Sequence, residues 1–79
     1  MNDNSLKKLL KIYERYCQSE YGCAKRSIEN NHYNNPTDII KCGLQRCIGA
    51  CFLLQEMGVP FKAIDEIYMP YREKFYELF

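Results

Sequence analysis

The stretch from Pro36 to Met57 constrains this chain more than any other part, because it is the least charged and most continuously apolar and both its ends carry helix punctuation. Asn35 is a good N-cap, Pro36 fits the first helical position with its φ already set, and Asp38 puts an acid in the first turn, facing the helix dipole. At the other end Gly58 stands where a left-handed C-cap is wanted, Val59 can fold back on Leu54, and Pro60 bars continuation. A helix over 36–57 is predicted. Its longest uncharged apolar run, Cys47–Leu54, is eight residues, against the roughly 20 needed to cross a bilayer. The short exit through Gly58 implies an antiparallel neighbour.

Helical periodicity continues on both sides. Leu6, Leu9, Leu10, Tyr13, Tyr16, Cys17, Tyr21, Ala24 and Ile28 recur at three-and-four spacing, and at about 100° per residue they form one stripe. Ala24 and Ile28 keep the phase of Leu6 and Leu10 across Gly22, which falls on the opposite, solvated side. One helix over about 5–30 is therefore expected, with a soft point at Gly22 and Asp3, Asn4 or Ser5 as its N-cap. The asparagine-rich segment 30–35 is a turn-forming loop. After Pro60, the residues Phe61, Ile64, Tyr68, Tyr71, Phe75 and Leu78 alternate steps of three and four without a fault. Pro70 projects to the polar side of that stripe, so a third helix over 60–79 is expected, kinked at Pro70 or divided there into two short helices. The expected architecture is all-α, an antiparallel three-helix bundle forming a single domain over 1–79.

On a helical wheel Ile40, Gly43, Leu44, Cys47, Ile48, Ala50, Cys51 and Leu54 share one broad face of the central helix. The facing stripes are heavy with Tyr and Phe, so large rings are expected to seat over Gly43, Cys47, Ala50 and Cys51. The opposite side is less regular: Phe52, Leu53, Gly49 and Cys42 interrupt its polar arc. Either the middle helix widens its apolar arc to reach two neighbours, or these residues form an interface with a second copy or another partner. Ile12, Met69, Tyr76 and Phe79 are further apolar groups off their stripes. The expected interface residues are Phe52, Leu53, Gly49, Tyr33, Tyr76 and Met69, since aromatic side chains give large contact area for little entropy.

Composition narrows the function classes. With 79 residues, a single core is only marginally sufficient without association, yet 47% hydrophobic and 14% aromatic residues disfavour disorder. A formal net charge of +1 gives no global attraction to nucleic acid or anionic lipid. The N-terminal residues lack the charged-then-apolar pattern of a secretory signal. Five cysteines without a CxxC pair read as free thiols of a soluble cytoplasmic protein. Cys47 and Cys51 lie one turn apart on the core face, where Cys acts as a small hydrophobe. No short-spaced ligand pair joins Cys17, Cys23, Cys42 or His32 into a metal site, and the sole histidine, His32, sits among asparagines with no orienting acid in view. Neither an enzyme nor a cofactor is expected.

Two polar features remain. Lys7, Lys8, Lys11, Arg15, Lys25 and Arg26 cluster on the outer side of the first helix, interrupted by Glu14 and Glu29. They are an ordinary solvated face or a strip for phosphate groups of nucleic acid or nucleotide, with Tyr33 or Tyr21 as a stacking surface. The pair of helices around Gly58 invites comparison with a helix-turn-helix, but Asp65 and Glu66 suit a DNA groove poorly. Residues 56–79 hold three bases against five acids, and residues 1–55 hold eight against five, so the chain is mildly dipolar. Glu20 is the one charge inside the stripe of the first helix. If buried, it must meet a cation or a Tyr hydroxyl.

In size and texture the chain is similar to short accessory proteins of bacterial phages and other mobile elements. The expected function is non-enzymatic protein–protein interaction, as an adaptor or inhibitor of a macromolecular partner, with homo-oligomerisation and without membrane attachment. The alternative is nucleic-acid or nucleotide binding through the basic face of the first helix.

Overall fold

A computed structural model of the chain describes residues 2–30 and 36–79. Three helices account for nearly all of them: α1 (Asp3–Glu29), α2 (Pro36–Glu56) and α3 (Phe61–Glu77), each packed against the other two. The bundle measures 45 × 16 × 16 Å, and α1 alone, at 1.5 Å per residue, spans about 40 Å of the long axis. Tyr13 reaches Cys47 while Tyr21 meets Phe75 over Gly43. Rising along α1 thus means descending along α2, and α3 runs with α1.

The predicted punctuation is largely in place. Gly58, at φ 94°, adopts the left-handed conformation open to glycine. Its N–H bonds the Gln55 carbonyl at 3.0 Å and the Val59 N–H bonds the Leu54 carbonyl at 3.0 Å, the two bonds of a Schellman cap. Val59 and Leu54 are both buried in the core. At the start of α1 the cap is Asn2, whose Oδ1 accepts from the Ser5 N–H at 2.8 Å. The expected Asp3, Asn4 or Ser5 is therefore corrected by one to three positions. Asn35, expected to cap α2, lies outside the described residues, as do His32 and Tyr33.

Helix α1 passes through Gly22 without a break. Gly22 is half-buried rather than bare, because the Arg26 guanidinium folds back over it. Likewise α3 runs unbroken through Pro70, so two separate short helices are not formed. Pro70 removes one backbone donor from the ladder at an exposed position.

One continuous core joins all three helices: Tyr13, Cys17 and Ala24 of α1; Ile40, Leu44, Cys47, Cys51 and Leu54 of α2; Ile64 and Phe75 of α3, with Val59 below. Phe75 is fully buried, edge-on to Tyr21 at 5.5 Å between ring centroids, and it lies against Gly43. The expected seating of a large ring over a small residue is thus realised there. Three expected inner residues, Tyr16 among them, are not enclosed. Ile48 is 37% exposed, and Phe61 at the first position of α3 is more than half exposed.

Candidate interaction groove

Between α1 and α2, on the side that α3 does not touch, runs an open groove of about 570 Å³. Leu9, Ile12, Tyr13 and Tyr16 form one wall and Gly49, Ala50, Leu53, Leu54 and Met57 the other, with Arg46 at one end. The groove follows from two adjoining helical rows. Ile12 and Tyr16 are one turn apart on α1, as are Gly49 and Leu53 on α2, and residues four apart are surface neighbours. The antiparallel α1–α2 pair brings these rows face to face. Leu53 is 64% exposed, and Ile12, Met57 and Tyr16 also stand open. Gly49 leaves a gap in the α2 wall, since a Cβ there would meet nothing within 4 Å, and the buried Tyr13 and Leu54 lie deepest.

The Arg46 end is polar. Its Nη1 donates to Oε2 of Glu20 at 3.2 Å, the one ion pair among the described residues, with the Glu20 side chain 18% exposed and that of Arg46 63%. The charge inside the apolar stripe of α1 is therefore largely covered and paired, the condition its position demanded. Burial raises the Tyr16 phenol above its ordinary range, and the Glu20 carboxylate beside it adds to the rise. Beyond the groove, Lys8 and Arg15 sit four before and three after Ile12. They flank the α1 wall with exposed cations.

Of the interface residues expected from the sequence, the structure brings some together and separates others, and Tyr33 lies outside the described residues. Gly49 and Leu53 line the groove. Phe52, 63% exposed, lies outside it, because consecutive helical residues point about 100° apart. It shares the other flank of α2 with Ile48, one turn away. Met69 is half-buried on α3. Tyr76 is exposed and engaged within its own helix end, stacked on Phe79 at 5.9 Å with the Arg72 guanidinium 4.9 Å over its ring. Tyr16 and Met57, assigned from the sequence to the core stripe and to a helix end, are groove residues. For Tyr16 the sequence signal is its pairing with Ile12, one turn away at the stripe's edge.

The six cations of α1, Lys7, Lys8, Lys11, Arg15, Lys25 and Arg26, are all exposed. They form a strip along the outer side of α1, and Arg26 donates to Cys23 Sγ at 3.5 Å. Tyr21 is no free stacking surface for a base: its ring abuts Phe75 and has Lys74 Nζ 5.9 Å above it. The thiols separate into the buried Cys17, Cys47 and Cys51 and the exposed Cys23 and Cys42. Among the described residues no three His, Cys, Asp or Glu side chains converge to hold a metal ion, and no helix is long and apolar enough to cross a membrane.

No protein-family model matches the chain, and no curated protein or solved structure matches it either.

Proposed function

We propose that this chain acts without catalysis, as an adaptor or inhibitor that docks another protein in its α1–α2 groove. The observation that carries the reading is the row of open apolar side chains, Ile12, Tyr16, Leu53 and Met57, along a groove whose α2 wall is opened by Gly49. Apolar surface left in water on so small a chain is the usual mark of a contact site. A mid-helix glycine costs about 1 kcal/mol relative to alanine, and at Gly49 no intramolecular contact accounts for it. Phe52 and Ile48 form a second bare strip on α2, and self-association through it belongs to the same reading. Action in the cytoplasm and an accessory role in a phage or mobile element remain part of the proposal, on the grounds of composition and size.

The test is affinity capture from the native host, with Leu53→Glu as the control. That variant keeps its helical circular dichroism and loses the partner. Retention of the partner by a folded Leu53→Glu protein would end this reading. Sedimentation of the wild-type chain and of Phe52→Glu measures self-association directly.

A second reading, phosphate binding along α1, is favoured by the six exposed cations on one side of the helix. Such binding weakens steeply between low and physiological salt, and reversing Lys11 and Arg15 to Glu removes it. Groove docking is instead lost on Leu53→Glu, a change that phosphate binding along α1 should survive.

A further inference from the structure

The groove's size, shape and surrounding charge together say what kind of protein segment fills it. Ten residues line it, whereas a standard interface between folded proteins uses about 20–30 residues a side. The site is too small for two globular faces and suits a single segment. Its shape suits a helix, because α1 and α2 already hold α3 along their other shared groove, and a helix laid in the open one makes a four-helix arrangement. The lined length, Leu9 to Tyr16 on one wall and Arg46 to Met57 on the other, accepts about two to three helical turns.

Charge then sets the flanks. The α1 wall is bordered by exposed Lys8 and Arg15, and the end of the groove carries Arg46, its guanidinium largely open beside Glu20. On the α2 side Glu56 is the exposed charge nearest Met57. A helix with acids along the edge toward α1 meets these two cations, whereas Arg46 is already paired with Glu20. A helix with bases on that edge meets like charge, which suppresses a wrong partner.

We propose that the occupant is an amphipathic helix of another protein, with apolar residues at i, i+3, i+4 and i+7 and acidic residues on the flank that faces Lys8 and Arg15. This rests on the groove being the contact site, and it adds the chemical class of the partner. Helix-in-groove recognition read through such anchors is a recurring mode.

The experiment is selection from a displayed library of 14-residue helices. The four apolar positions are fixed, and the flanking positions are randomised among Asp, Glu, Lys, Arg, Ser and Gln. Three baits are used: the wild-type chain, Leu53→Glu, and the double variant Lys8→Glu with Arg15→Glu. All are checked for helicity by circular dichroism, and binders are re-measured as synthetic peptides by fluorescence anisotropy. On wild type, Asp and Glu enrich on one flank, and binding is at least tenfold tighter than for the same peptide with that flank made basic. Leu53→Glu loses the binders, and the double variant loses or inverts the flank preference. If binders emerge with neutral or basic flanks yet still require Leu53, the acidic partner is wrong and the groove stands. If no helix binds wild type, or if sedimentation shows a second copy of the chain seated through Leu53, the proposal is overturned.

Discussion

The Phe75 ring lies against the backbone of Gly43 so closely that a Cβ built there would stand 2.6 Å from Cε1 and 2.9 Å from Cζ. Real Cβ atoms do not approach so near, and Phe75, fully buried and edge-on to Tyr21, has little room to retreat. Overpacking of this kind costs about 1–3 kcal/mol, and the gain in helix propensity from Gly to Ala returns up to about 1 kcal/mol. Gly43→Ala is expected to lower stability by about 1–2 kcal/mol in urea unfolding. Combining it with Phe75→Leu should cost less than the sum of the two single changes, because the smaller side chain relieves the clash. Strict additivity would show that the contact does not limit the site.

Gly49 is the reverse case, and the contrast separates fold from function. A Cβ at Gly49 meets open space, so Gly49→Ala should raise stability by about 0.5–1 kcal/mol through helix propensity alone. The same methyl group fills the gap in the α2 wall of the groove, and affinity for a docked helix should fall. A variant that unfolds at higher urea and captures less partner is the expected result. Unchanged capture would mean that the occupant stays clear of Gly49.

The sequence made the fold legible because its helix ends are chemically explicit. Pro36, Gly58 and Pro60 leave few alternatives, and the phase of Ala24 and Ile28 carried α1 across Gly22. The first cap was less determinate, since Asn2, Asp3, Asn4 and Ser5 are all competent caps in a row and local preference ranks them closely. The site was legible only in part. A wheel gives the direction of each side chain from its own axis, but not where the next helix ends. Ile48 therefore looked interior and is at the rim, while Tyr16 looked interior and borders the groove. Phe52 and Leu53 both interrupt the polar arc opposite the core face, yet consecutive helical residues stand about 100° apart, and the neighbouring helix places only Leu53 beside the groove.

Thiol chemistry checks the core directly. Cys17 and Cys47 have no exposed surface and Cys51 has 8%, whereas Cys23 and Cys42 are exposed. Contact with Cys17, together with burial, pushes the Cys47 thiol up from its ordinary 9.0, and burial raises Cys51 as well. Both effects deplete the reactive thiolate. With a disulfide reagent at neutral pH, Cys23 and Cys42 should be modified rapidly. The other three should react at the rate of opening and become fast in denaturant. Mass spectrometry of the partly modified protein identifies the sites, and early labelling of Cys17 or Cys47 would contradict this core.

Tyr13 makes the fold sensitive to alkali. Its hydroxyl donates to the Cys47 carbonyl at 3.0 Å in the middle of the bundle, and burial, reinforced by the neighbouring Cys17, pushes the phenol far above its ordinary 10.0. The folded state therefore keeps a proton that the unfolded state releases once pH passes 10.0. The contribution is fully present below that pH and is lost as pH rises toward the folded-state value, at up to about 1.4 kcal/mol per pH unit for one group. Tyr16, Tyr68 and Tyr71 are also raised by burial, so their absorbance should titrate above the ordinary range, and that of the buried Tyr13 only with unfolding. Tyr13→Phe removes the hydrogen bond, at a cost near 1 kcal/mol at neutral pH, and removes the proton that opposes high pH. Its urea midpoint should start lower than that of wild type and fall less steeply above pH 10. Parallel curves for the two proteins would show that Tyr13 does not carry the alkaline transition.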